Sequence, residues 1–153
     1  MKTLLALKPH SAFILFAIFD IICIGMGMGV PIFCILLGFV VGWFVVRYIT
    51  RSVIQISDVF WKVLRYALIT AGFTFLAMLV LWGPFASYLF NPAKDLATAG
   101  IPMILYEPRP SLIGWIVLMI VISPFLQLLT TLFSAYLTLL LWMKSGTYDQ
   151  KTV

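Results

Sequence analysis

Four long apolar runs divide this chain, and they constrain its fold more than any other feature. They cover approximately residues 11–28, 30–46, 66–90 and 112–142 of the 153-residue sequence. A helix needs about 20 apolar residues to cross the roughly 30 Å hydrocarbon core of a bilayer. We therefore predict an all-α, polytopic membrane protein, with four transmembrane helices bundled in a single integral membrane domain. The dipeptide Ser123-Pro124 inside the last run predicts a kink or tilt there.

The amino-acid composition indicates the same class of protein. Hydrophobic residues make up 63% of the chain and charged residues 10%, whereas a soluble domain carries roughly 25% charged residues. A chain of this size has too much surface for its volume to hide so many apolar side chains from water. The net charge of +5 falls at the ends of the apolar runs and not on one polar face. Nucleic-acid binding is therefore not expected.

The distribution of basic residues predicts the orientation of the helices, because cytoplasmic segments carry an excess of Lys and Arg. With a cytoplasmic N-terminus, the outer segments contain Lys94 and Arg109. The inner segments then contain the other basic residues, which are Lys2, Lys8, Arg47, Arg51, Lys62, Arg65, Lys144 and Lys151. We expect both termini in the cytoplasm, an inner connection at 47–65, an outer loop at 91–111, and a plasma or inner membrane as the location. The five tryptophans all fall at predicted ends of spans, where this residue is enriched.

The inner connection carries a stripe of polar residues at helical spacing. Its members are Arg47, Arg51, Gln55, Asp58, Lys62 and Arg65. We interpret the stripe as helix ends that lie along anionic lipid headgroups, contacted by Arg47, Arg51, Lys62 and Arg65. A docking surface for a cytoplasmic partner is the alternative interpretation.

Glycines predict places where helices turn or pack closely. The segment "GMGMGVP" is the whole connection between the first two runs, and it predicts a tight hairpin on the outer face. The pairs Gly25/Gly29 and Gly38/Gly42 each have the four-residue spacing that lets helix backbones approach one another.

Asp20 is the one acidic residue inside any predicted span. A carboxylate in hydrocarbon costs several kcal/mol, so such a side chain turns inward, pairs or stays protonated. Three interpretations follow for Asp20. It is a neutral or hydrogen-bonded residue that fixes helix packing, a proton or cation site, or a charge that recruits another subunit.

A polar stripe on the fourth span is the best candidate surface for Asp20 to meet. Its members, spaced four, four, three and four residues apart, are Ser123, Gln127, Thr131, Ser134 and Thr138. Lipid cannot satisfy an amide, so this face is expected to turn into the bundle or toward a neighbouring protomer. The lining of a polar path is the alternative. Asp20, Ser123, Gln127, Thr131 and Ser134 together form the candidate ion or partner site.

Soft metal ligands flank the glycine segment. Cys23, Met26, Met28 and Cys34 have the thiol and thioether groups that select Cu(I), which makes a copper site a minor hypothesis beside ordinary apolar packing. The sequence contains no metal-binding histidine pair, nucleophile elbow or phosphate-binding loop. No catalytic residue and no cofactor are therefore predicted.

These features together favour a small multi-pass membrane protein that acts as a non-catalytic subunit or accessory component of a membrane complex. Its expected partners are the lipid bilayer and either further copies of itself or other membrane subunits. A small transporter or channel that uses Asp20 as a proton or cation site is the alternative. A lipid-modifying enzyme is the third possibility, and it requires a cleft with converging titratable groups.

Overall fold

The structure is a computed structural model that describes residues 9–26, 31–51, 56–90 and 107–144, and within these ranges every regular element is helical. Helix α1 is Pro9–Met26, α2 is Ile32–Ile49 and α3 is Ile56–Trp82. A 3-10 turn, Gly83–Ala86, and a one-turn helix, α4 (Ser87–Phe90), follow α3 directly. Helix α5 is Pro108–Val117, and a π-helical turn, Leu118–Ile122, joins it to α6, Ser123–Lys144.

Three continuous helical stretches are long and apolar enough to cross a membrane. They are Ile32–Ile49, Ile56–Phe90 and Pro108–Lys144. The apolar part of α1, His10–Gly25, is shorter. The predicted all-helical class is thus confirmed for the described residues, and three helices have the length and apolar character that a membrane span requires.

The helices between the second and third apolar runs extend further than the hydropathy pattern indicated. Helix α2 continues to Ile49, and α3 begins at Ile56 rather than at residue 66. The reason is tertiary packing, because Val59 and Val63 in the first turns of α3 pack against the last turns of α2. The described part of the predicted inner connection therefore consists of two separate helix ends, and the polar stripe from Arg47 to Arg65 is divided between them.

Two hydrophobic clusters fix the directions of the helices. The first core cluster joins the end of α1, the start of α2, the end of α3 and the α5–π segment, through Ile24, Cys34, Met78, Leu112, Trp115, Met119 and Ile120. The second core cluster joins the end of α2, the start of α3 and the second half of α6, through Val45, Val46, Ile49, Val59, Val63, Ala135 and Leu139. Each helix that reaches both clusters runs opposite to the one before it. The described helices therefore pass up and down between the two clusters.

The closest approach between helices occurs where Gly38 and Gly42 of α2 meet α6. A Cβ atom added at Gly38 would lie 2.7 Å from the carbonyl oxygen of Gln127, and one added at Gly42 would lie 2.9 Å from the backbone nitrogen of Ala135. Neither position has room for a side chain. Close backbone packing of this kind gains dispersion energy without any need for a hydrophobic driving force between helices.

The glycine segment behaves differently from the Gly38/Gly42 pair. Helix α1 ends at Met26 and α2 begins directly after Pro31, while residues 27–30, including Met28 and Gly29, lie outside the described part of the chain. A Cβ atom added at Gly25 would meet nothing within 4 Å. Gly25 is exposed on α1, and the close packing predicted for the Gly25/Gly29 pair stays a prediction, because Gly29 lies outside the described residues.

The π-helical turn before α6 is explained by Pro124, which has no N–H group. The backbone N–H of Ser123 donates to the carbonyl of Leu118, five residues earlier, instead of that of Met119. The carbonyl of Met119 therefore receives neither the usual i+4 bond nor an i+5 bond, since the latter would have to come from Pro124. The proline thus changes the helix type in the turn that directly precedes the polar face of α6.

Candidate functional site

Asp20 lies at the point where α1, α3 and α6 meet. Its side chain is 0% exposed. The hydroxyl of Thr74 on α3 lies 2.7 Å from Oδ2 of Asp20, and Nε2 of Gln127 on α6 donates to Oδ1 at 3.2 Å. Thr74 is also 0% exposed and Gln127 is 1% exposed. Three helices thus bring one carboxyl, one hydroxyl and one amide together in a fully buried position.

Simple helix geometry accounts for this meeting. The buried side chains of α1 are Phe16, Asp20 and Ile24, which are spaced four residues apart and so share one face. Once Ile24 joins the first core cluster, Asp20 is held one turn away on the same side of α1. On α3, Thr74 occupies the equivalent position one turn before Met78, another member of that cluster.

The hydroxyl of Thr74 has two acceptors within reach but only one hydrogen to donate. Its Oγ1 lies 2.7 Å from Oδ2 of Asp20 and 3.1 Å from the carbonyl oxygen of Thr70. If Asp20 is ionised, the hydroxyl donates to the carboxylate. If Asp20 is protonated, Oδ2 donates to Thr74 and Thr74 donates to Thr70. The cluster can therefore accommodate either form of the carboxyl with no movement of the backbone.

Two further side-chain oxygens on α6 are buried without a hydrogen-bond partner among the described residues. They are Oε1 of Gln127, on the same amide that bonds to Asp20, and Oγ of Ser123, one helical turn earlier on α6. Ser123 is 0% exposed. An unpaired buried polar group typically costs about 1–3 kcal/mol. Two of them lie on one face of α6, and one belongs to the amide that bonds to Asp20, so this face is rich in unused acceptor oxygens.

The other members of the α6 stripe are buried but do not reach Asp20 through a hydrogen bond. The hydroxyl of Thr131 donates to the carbonyl of Gln127 in its own helix at 2.7 Å. The hydroxyl of Ser134 donates to the carbonyl of Phe39 on α2 at 2.6 Å. The predicted site therefore separates into an Asp20 cluster, which includes Gln127, and an α2–α6 contact, which includes Ser134.

Two threonines that were not among the predicted site residues also form hydrogen bonds between helices. Thr74 bonds to Asp20, and Thr130 donates to the carbonyl of Ile35 on α2 at 2.8 Å. In the sequence, Thr74 belongs to a series of small residues in the third apolar run and lies four residues before Met78. That position is the sequence feature from which its burial could have been predicted. Thr130 is next to the predicted stripe and not on it, so its role follows from the close approach of α2 at Gly38.

The cysteines lie in apolar surroundings. Cys34 is 0% exposed within the first core cluster, Cys23 packs against the edge of that cluster, and both are free thiols. The side chain of Met26 and the whole of Met28 lie outside the described residues. Within the described ranges, no three His, Cys, Asp or Glu side chains are grouped as metal ligands. The copper hypothesis thus gains no support from the positions of the two thiols.

The basic residues predicted to contact headgroups all lie at the end of the molecule that contains the second core cluster. Arg47, Arg51, Lys62 and Arg65 are exposed there. An open groove of about 470 Å³ lies between α3 and α6 at the same end, lined by Val46, Ser57, Phe60, Trp61, Val63, Leu64, Leu132, Ala135, Tyr136 and Leu139. Its lining contains no acid, histidine, cysteine or basic residue. The groove is mostly apolar, and Ser57 and Tyr136 contribute the hydroxyl groups of its lining.

Comparison of the chain with protein-family models, with curated proteins and with solved structures finds no match. Three of the described helices are long and apolar enough to span a bilayer, which is typical of helical membrane proteins. The features that bear on function are the Asp20 cluster and the surfaces of the helices.

Proposed function

We propose that this chain is a small four-span integral membrane protein that serves as a non-catalytic subunit or accessory component of a membrane complex. The observation that carries the proposal is that the polar side chains of the predicted site point into the bundle. Asp20 and the stripe on α6 are buried, and their described hydrogen bonds join parts of the same chain. The buried polar groups therefore hold helices together, which leaves apolar outer faces for lipid and neighbouring membrane helices.

In this proposal α1 is the fourth span and both termini lie in the cytoplasm. At the end with the second core cluster, the described basic residues are Arg47, Arg51, Lys62, Arg65 and Lys144. At the opposite end, the described basic residue is Arg109. The excess of positive charge supports a cytoplasmic location for the second core cluster, with anionic headgroups around it, in a plasma or inner membrane.

Helix α1 offers the broadest surface to a partner. Of its described side chains, Phe16, Asp20 and Ile24 are buried. Its exposed large apolar residues are Phe13, Ile14, Leu15, Ile18, Phe19, Ile21 and Ile22. Since one narrow stripe attaches α1 to the bundle, a transmembrane helix of another subunit can cover most of its circumference.

Photocrosslinking in native membranes tests this role. A photoreactive residue at Ile18, which is 51% exposed on α1, is expected to form a discrete adduct with one partner protein. The matched control is Val80 on α3, which is 73% exposed and is expected to react with lipid. Lipid adducts alone at both Ile18 and a second α1 position, Ile22, would contradict the proposal.

The second candidate function is a small transporter or channel that uses Asp20 as a proton or cation site. The unpaired Oε1 of Gln127 beside the carboxyl favours this alternative. Ion flux into vesicles that contain the purified protein tests it. Asp20→Asn is expected to abolish flux while the protein still assembles, and flux that is unchanged by the substitution would eliminate a transport role for Asp20.

A further inference from the structure

We propose that Asp20, Thr74, Ser123 and Gln127 form a binding site for a sodium ion inside the helical bundle. The ion would bridge α1, α3 and α6 at the level between the two core clusters. The site does not depend on whether the chain acts as an accessory component or as a transporter. It assigns a ligand to side chains that the accessory role uses for packing alone.

The first support is the supply of oxygen atoms. The Asp20 carboxyl and the Thr74 hydroxyl lie 2.7 Å apart, and Oε1 of Gln127 and Oγ of Ser123 are buried without hydrogen-bond partners among the described residues. Ser123 and Gln127 are four residues apart, so they lie on the same face of α6. A cation bound there would satisfy the two unpaired oxygens and the carboxylate together.

The composition of the site selects the kind of ion. Asp20 is the one acidic residue among these four ligands, and the other three supply neutral oxygens. A monovalent cation would neutralise the site, whereas a divalent ion would leave an uncompensated positive charge in an apolar interior. All the atoms are hard oxygen donors, which do not favour copper or other soft metals. The four side chains are packed to 0–1% exposure, and the smaller sodium ion requires less displacement of such close-packed groups than potassium does.

The ion-free arrangement can convert to the bound one by rotation of side chains alone. A half-turn about the terminal bond of Gln127 replaces Nε2, now 3.2 Å from Oδ1 of Asp20, by Oε1, and this torsion is broad and close to two-fold. The amide thereby gives up its hydrogen bond to Asp20, and the contact of Oε1 with the ion must offset that loss. The hydroxyl of Thr74 can turn its hydrogen to the carbonyl of Thr70 at 3.1 Å. Its lone pairs then face the ion, and no backbone movement is needed.

Thermal unfolding of the purified chain in detergent tests the site. Choline chloride keeps the ionic strength constant while NaCl or KCl is titrated. We expect the unfolding midpoint to rise by several degrees with NaCl and then to saturate, since a ligand that binds the folded state stabilises it. KCl should require a concentration that is at least about tenfold higher. Equal responses to the two salts, or none to NaCl, would overturn the proposal.

Substitutions connect the response to these residues. Asp20→Asn should abolish the response to NaCl. Ser123→Ala should raise the half-saturating NaCl concentration at least about tenfold, while the protein without sodium stays at least as stable as the original, because the lost hydroxyl has no partner. The matched control is Ser134→Ala, which removes a buried hydroxyl that bonds to α2 on the same helix and should leave the sodium response intact. A wild-type response in Ser123→Ala would remove Ser123 from the site and overturn the proposal.

Discussion

Asp20 shows how one residue can satisfy the hydrogen-bonding demands of an apolar interior. Its two oxygens each have a partner on a different helix, Thr74 and Gln127. In sodium-free solution the protonated form is fully accommodated, since Oδ2 can donate to Thr74 and Thr74 to Thr70. A neutral side chain of the same shape should therefore replace the acid without disturbing the packing.

This accommodation predicts that Asp20→Asn and Asp20→Ala differ sharply when sodium is absent. Asparagine keeps one acceptor for Gln127 and one donor for Thr74, so the free energy of unfolding should change by less than about 1 kcal/mol. Alanine leaves a cavity and an unpaired amide, and should cost about 2–5 kcal/mol. Chemical denaturation in detergent measures both values. Equal losses for the two variants would show that a buried charge, and not this hydrogen-bond pattern, stabilises the protein.

Thr74→Val tests the same cluster from α3. Valine has nearly the same shape as threonine but lacks the hydroxyl that lies 2.7 Å from Asp20. We expect a loss of about 1–3 kcal/mol in the free energy of unfolding, because one carboxyl oxygen loses its partner in a buried position. Thr50→Val is not a suitable control, since Thr50 is also buried and bonded. Phe75→Leu, at an outward position on α3, provides a neutral comparison, and an equal loss there would contradict a specific role for Thr74.

At the scale of elements, the contact between α2 and α6 is the tightest part of the bundle. Gly38 and Gly42 bring the two backbones together, and hydroxyls of Thr130 and Ser134 donate to carbonyls of α2 across the gap. The polar stripe of α6 is therefore shared between two neighbours. Part of it meets α2, and the part nearest the π-helical turn meets Asp20.

Gly42→Ala is expected to destabilise the protein by about 1–3 kcal/mol through overpacking. Its added methyl group would meet backbone atoms of Ala135 and Thr131, which cannot move aside as a flexible side chain can. Gly72→Ala is the matched control, because a methyl group on Gly72 meets nothing within 4 Å and alanine is the better helix former. Thermal unfolding measures both variants. Equal tolerance at the two positions would contradict the observed helix contact.

Gly25→Ala separates a packing role from a turning role in the glycine segment. A methyl group there meets nothing within 4 Å, so the free energy of unfolding should change by less than about 1 kcal/mol. A loss as large as that of Gly42→Ala would support the packing role that the sequence suggested. Thermal unfolding under the same conditions makes the comparison.

At the scale of the whole molecule, the two core clusters mark opposite ends of the helical bundle. Arg109, the second residue of α5, lies at one end, and Lys62 lies on α3 near the other. Both are exposed. The described basic residues concentrate on the side of Lys62, and the proposed topology therefore has this end in the cytoplasm, following the positive-inside rule.

Single cysteines at Arg109 and Lys62 should therefore react with a membrane-impermeant maleimide from opposite sides of the membrane. Cys23 and Cys34 are first replaced by alanine so that the new thiols are the only ones. Labelling of intact cells should reach position 109, and labelling of inverted vesicles should reach position 62. Reaction of both positions from the same side would overturn the proposed threading.

The sequence by itself determined the class of protein, because the number and length of apolar runs and the scarcity of charge depend on no tertiary contact. It also identified Asp20, Gln127 and the small residues Gly38 and Gly42, since a buried charge and a spacing of four are local signals. The tryptophans show the limit of such signals. Trp82 and Trp115, predicted at the outer membrane surface by position, pack edge to face with ring centroids 4.5 Å apart, and Trp115 is 2% exposed.

Tertiary structure alone decided which side chains meet. Thr74 lies 54 positions and Gln127 107 positions after Asp20 in the sequence, and both bond to it. No local sequence pattern fixes the rotation of one helix against another. The start of α3 at Ile56 likewise depends on Val59 packing against α2. Periodicity gives the face that a helix buries, but the partner of that face is set by how all the helices fill the space between the two core clusters.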